Sequence, residues 1–252
     1  MFRQRLVWGF FLLSLLCSRG LYAADAPPVA EWISDGAAIV FEVTQPKVII
    51  DKLFDERIVA AVTSHQAYKD QMARTEVRDA VNAVKLLEAK YNTDFQGLLT
   101  KLTGGGITIA LGPGENALLI IESEEKDVLE GIHDFLMMIA KSEARKQGDP
   151  SRVTSAEYRG VTGWRFAPNE AHTIIGNRLI MANNPELLKT ALDLRAEPSR
   201  ANLSASPEYQ SAQDAAGTPA VARLYANMEV LRALPQFTAA LEENRNPMGR
   251  LL

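Results

Sequence analysis

Short apolar runs alternate along this chain with longer stretches of helical period. Ala37 to Val43 is a brief apolar run bounded by Asp35-Gly36, and it reads as a buried strand. Thr44 is placed to cap the next helix, with Pro46 in its first turn and Val48, Ile49, Ile50 and Leu53 on its apolar side. Residues 56–91 keep a helical period of mixed polarity, in which Val77, Val81, Val84, Leu87 and Leu86 recur at three and four up to Asn92. A short amphipathic helix from Phe95 to Leu102 leads into Gly104-Gly105-Gly106. Ile107 to Leu111 and Ala117 to Glu122 flank Gly112-Pro113-Gly114-Glu115-Asn116, a turn rich in glycine and proline, and predict a hairpin.

The second half of the pattern opens with a long helix from Ser123 to about Arg145. Its expected buried stripe is Val128, Leu129, Ile132, Phe135, Leu136, Ile139 and Ala140, and Gln147-Gly148-Asp149-Pro150 stops it. Four strands then form a meander: Val153–Tyr158, Val161–Phe166, Ala171–Ile175 and Arg178–Ala182. A helix from Pro185 to Leu194 follows, then a Pro/Ser/Ala-rich connection over 196–219 with a small helix near 207–215. Ala220 to Tyr225 reads as a further strand and Met228 to Glu242 as a further helix.

One unit recurs. An apolar strand runs into a polar capping residue and then a helix at Thr44, Ser123, Asn183 and Asn227. Counted from the first three caps, apolar residues fall at +5 (Ile49, Val128, Leu188) and +9 (Leu53, Ile132, Leu192). This predicts an α+β fold, a largely antiparallel sheet with helices packed on one face, built from recurring strand–helix–hairpin units. The recurrence divides the α+β domain, residues 32–244, into halves of about 32–147 and 148–244. The tail, 245–252, ends on two leucines without a cap and reads as a cut.

Strand, cap and helix, a Gly-rich hairpin, a long helix, then Tyr158-Arg159-Gly160-Val161 and the run His172 to Asn184 together resemble an uncharacterised family of exported bacterial proteins of planctomycete type. These carry a domain of unknown function. The resemblance spans residues 30–244, and no activity, cofactor or site residue comes with it.

Ahead of the domain stands an expected export signal over residues 1–23. Arg3 and Arg5 precede an apolar stretch from Leu6 to Cys17, and Leu21-Tyr22-Ala23-Ala24 offers small residues for cleavage after Ala23. The stretch is shorter than the roughly 20 residues that a membrane-spanning helix needs, so retention as an anchor is the lesser alternative. Residues 24–31, with Pro27-Pro28, read as an extended linker. Removing the signal also removes Cys17, the only cysteine, and the arginines at 3, 5 and 19. That leaves 24 basic against 31 acidic residues, a net charge of −7. A mature chain of this kind holds no disulfide, and it is a poor partner for nucleic acid or an anionic membrane. The expected address is the periplasm or the exterior of a bacterial cell, with no membrane span after cleavage.

No local motif marks an active site. Gly104-Gly105-Gly106 leads into a strand and lacks the Gly-Lys-Ser/Thr of a phosphate loop. Ser123-Glu124-Glu125-Lys126 matches a Ser-x-x-Lys pattern, but its companion elements are out of order, and Ser123 is better placed as a helix cap. Glu130 and His133 form one Glu-x-x-His where a di-iron bundle needs two, and His65, His133 and His172 are scattered. Asn202-Leu203-Ser204 is a glycosylation sequon, which matters only in a eukaryotic host. Trp32 and Trp164 are single aromatics, with Trp164 assigned to the core. The sequence therefore supplies no catalytic, cofactor-binding or metal-ligating residue. It favours a non-catalytic binding or structural module of the cell envelope, with an unidentified envelope protein or ligand as partner. The rival is an exported hydrolase whose site no local motif reveals, or whose site lies past residue 252.

Overall fold

The computed structural model describes residues 28–215, 220–235 and 238. Strands β1 (Ile39–Val43), β2 (Gly106–Leu111), β3 (Ala117–Glu122), β4 (Thr154–Tyr158), β5 (Val161–Arg165), β6 (Ala171–Ile175), β7 (Arg178–Ala182) and β8 (Ala222–Ala226) form one sheet in the order β4-β5-β6-β7-β3-β2-β1-β8. Every neighbouring pair is antiparallel. The α+β class and the antiparallel sheet expected from the periodicities are both present. The two sequence halves meet inside this sheet through β3 and β7, and β8 returns to lie beside β1.

Strand alternation assigns each side chain to one face. On the first face, Val40, Ala110, Leu118 and Ala182 stand in register across four strands and are buried. The cover is α7 (Pro185–Ala196), whose Leu188, Ala191 and Leu192 join this core, together with a 3-10 turn at Val29–Trp32. The turn lies where an extended linker was expected, and its Ala30 and Trp32 are buried. Leu203 N–H donates to Ile33 O at 2.8 Å, fastening the segment after α7 to the same layer.

Helices also reach part of the second face. Val43, Ile107 and Ile121 are buried there, with Ile49 of α1 (Pro46–Leu53) packed against them. The stretch 56–91 resolves into α2 (Glu56–Ser64), α3 (Gln66–Ala73) and α4 (Thr75–Lys90). The breaks fall at His65 and Arg74, both in extended backbone. Helix α5 (Phe95–Thr103) returns to the sheet at β3, and α6 (Lys126–Lys146) crosses to β7. The remaining helices are α8 (Pro207–Ala215) and α9 (Met228–Ala233). The expected export signal over 1–23, the part of the expected helix Met228–Glu242 at 236–237 and 239–242, and the tail 245–252 lie outside the described residues.

The four strand-to-helix connections are present, but three of the caps are displaced. The helix-capping positions are Gln45, Glu125, Asn184 and Asn227. Thr44 Oγ1 instead donates to Ala220 O, and Ser123 Oγ donates to Lys101 O. Asn183 holds the neighbouring hairpin, accepting from Ala117 N–H and donating to Glu115 O. Only Asn227 caps as expected, accepting from the backbone N–H groups of Glu229 and Val230.

Candidate functional site

Three features stand out. The first is on the second sheet face, where alternation sets Leu224, Phe41, Ile109, Leu119 and Met181 in one register row across β8, β1, β2, β3 and β7. Its middle members are only half-buried, and Leu224 is 69% exposed at the edge. Leu111, on the same face one step along β2, is also exposed. A packed layer would bury such a row, because each large apolar side chain left in water forgoes roughly 1.5–3 kcal/mol.

Helix α6 borders this face with a matching flank. Leu129, His133, Met137 and Ala144 form the row turned to the sheet, since His133 reaches β6 and the other three are buried. Ile132, Leu136 and Ile139 lie about 60–120° around the helix from that row. Leu136 is 52% exposed and Ile139 40% exposed. The stripe expected from the sequence thus splits: Val128 and Leu129 are buried, whereas Leu136 and Ile139 are not.

The second feature is a cavity of about 460 Å³ on the first face, where the sheet meets α8. Glu42, Glu122, Arg223, Tyr209 and Gln213 line it. Glu42 accepts from Tyr209 Oη–H and, at 2.9 Å, from Gln213 Nε2. Gln213 Oε1 in turn accepts from Arg223. Burial, and then the Glu42 charge, push the Tyr209 phenol far above its ordinary value, so it stays a donor. Glu122 accepts from Arg178 Nε at 2.9 Å and Nη2 at 2.8 Å, and Arg178 lies 5.1 Å from the Trp32 ring centre. Most of these polar groups are bonded to one another, and no histidine or cysteine lines the cavity.

The third feature joins two histidines that the sequence left apart. His172 on β6 is 1% exposed, and its Nδ1 lies 2.6 Å from Glu170 Oε1. Its Nε2 faces His133 Nε2 at 3.3 Å. Trp164 packs on His133 at 4.6 Å between ring centres, and Phe166 on His172 at 4.7 Å. Burial first, then the charge of His172, hold the His133 pKa below its ordinary value. Burial would raise the Glu170 carboxyl, but hydrogen bonds from His172 and from the Phe166 backbone outweigh it and leave the carboxyl lowered. Trp164, assigned to the core from the sequence, is half-buried and packs on His133 outside the buried core clusters. The signal for this centre lay in alternation: Trp164 and His172 are directly opposite on adjacent strands.

The other sequence candidates fall into structural roles. Ser123 is buried and bonded to backbone on both sides, while Lys126 pairs with Glu130 at 3.2 Å. His65 accepts from Ala67 N–H at the start of α3. Asn202 is buried and caps a 3-10 turn at Leu203–Ala205, so the sequon is closed to a glycan. Gly105 passes so close to β3 that an added Cβ would lie 2.9 Å from Glu122 O, which explains a glycine there without any phosphate. Among the described residues no helix is long and apolar enough to cross a membrane.

Comparison with known proteins adds little. No family model matches the chain, and no curated protein does. Two solved structures match, crystal forms I and IV of TP0453, at 12% and 13% identity. The matches cover 85% and 82% of this chain and 70% and 67% of the other, each with a TM-score of 0.41. A likeness this loose carries no argument about what the chain does.

Proposed function

We propose that this chain is an exported, non-catalytic binding module of the bacterial cell envelope, and that it receives an envelope protein on the open part of its second sheet face. The observation that supports this reading is the row Leu224–Phe41–Ile109–Leu119–Met181, apolar throughout and incompletely covered. A patch of this kind on a folded domain marks an interaction surface. Its apolar, uncharged floor suits an apolar protein surface better than a polar small molecule. The acidic mature chain turns the same preference away from nucleic acid.

A photo-crosslinking residue placed at Leu224 or Leu111 in cells tests this, with Glu186 on the solvent side of α7 as control position. The expected outcome is one discrete adduct from 224 and 111, none from 186, and loss of the adduct when Ile109→Asp is added. Equal labelling at all three positions, or an adduct indifferent to Ile109→Asp, overturns the proposal.

The hydrolase reading rests on the polar cavity beside α8. Two of its carboxylates, Glu42 and Glu122, are already engaged by Tyr209, Gln213 and Arg178, while Asp214 lines it as well. A hydrolytic activity of the purified chain abolished by Glu42→Gln, in a variant that keeps its fold, would establish it.

A further inference from the structure

The two histidine rings between α6 and β6 are set as ligands are set. Glu170 Oε1 lies 2.6 Å from His172 Nδ1, so the tautomer that carries its proton on Nδ1 presents the Nε2 lone pair on the other side of the ring. That nitrogen faces the Nε2 of His133 at 3.3 Å. Two imidazole nitrogens at about 2.0–2.1 Å from one tetrahedral ion stand about 3.3 Å apart. The Glu170–His172 contact is also the outer-shell carboxylate that orients metal-bound imidazoles. Trp164 packs on His133 and Phe166 on His172, which restrains both rings. Met181 lies directly opposite His172 and on the same sheet face, adding a soft neighbour.

We propose that His133 Nε2 and His172 Nε2 bind a late first-row transition-metal ion, with Glu170 as the positioning residue. The set is open. Among the described residues no group of three or more histidines, cysteines and carboxylates is arranged to hold a metal, so water or an external ligand completes the coordination, as in sites that keep an exchangeable position. Asp134 lies 3.8 Å from the Nδ1 of His133 and offsets the charge of Lys141 nearby.

The test uses tag-free, chelator-treated mature protein titrated with Zn²⁺ and, under reducing conditions, with Cu⁺. Binding is followed by calorimetry and by the imidazole nitrogen NMR signals. One ion of at least one metal is expected to bind per chain, shifting the Nε2 signals of both rings. His133→Leu, which fills the same space, should weaken that binding at least tenfold. Glu170→Gln should weaken it about 10–100-fold through the outer shell. His65→Ala should change nothing, and far-UV circular dichroism checks that each variant keeps its fold. No saturable binding of either ion overturns the assignment, and so does binding that His133→Leu leaves unchanged.

Discussion

Arg178 and Glu122 show how a single register step places chemistry. They stand directly opposite on β7 and β3, and Arg178 is 1% exposed. Removing one member of a pair this buried strands the other charge, whereas replacing both can be tolerated. Arg178→Ala is expected to cost about 3–5 kcal/mol in urea unfolding, and Arg178→Met with Glu122→Gln to recover most of that loss. Neither residue stood out in the sequence, because a strand boundary shows each residue's type but not its partner 56 positions away. His133 and His172 escaped for the same reason. The glycine run at 104–106 was legible, since a turn into a strand is a local matter.

At the scale of elements, the strands and helices were read closely. The meander strands Ala171–Ile175 and Arg178–Ala182 match at both ends. What periodicity could not supply was which part of an apolar arc meets the sheet. Helix α6 has apolar residues around much of its circumference, and contact with β6 selects the row through Met137. Met137→Ala is therefore expected to cost about 2–5 kcal/mol, and Leu136→Lys to fall within about 0.5 kcal/mol of wild type. Thermal unfolding of the two variants separates these outcomes, and a costly Leu136→Lys would contradict the arrangement. The caps slipped for a related reason. Thr44, Ser123 and Asn183 had the right chemistry, but neighbouring strands and loops claimed their side chains first.

For the molecule as a whole, the two ends of the sheet are fastened differently. At the β4 edge, Asp193 of α7 accepts from Tyr158 Oη–H at 2.9 Å and from Arg200 Nη1 at 3.0 Å, and Arg159 joins them. Burial would raise the Asp193 carboxyl, but these donors outweigh it and hold it below the ordinary carboxylate range. A folded pKa below the unfolded one gives stability that is fully present above the unfolded value, about 3.9. That stability is lost as pH falls from there through the folded value. Urea midpoints measured at neutral and acidic pH should show a steeper acid loss in wild type than in Asp193→Asn. Equal slopes would remove this carboxylate from the account.

At the opposite end, the pairing of β1 with β8 joins the first and last described strands. A chain made from its N-terminus has finished Val43 long before Ala222 exists, so the outer hydrogen-bonding edge of β1 stays unsatisfied through most of synthesis. Long-range pairing of this kind is slow, and an unsatisfied edge recruits other chains. A chain stopped after residue 215 should therefore sediment as aggregate where the longer chain stays in the supernatant. The late strand works as a timer: this edge of the sheet can close only after the other seven strands have been made.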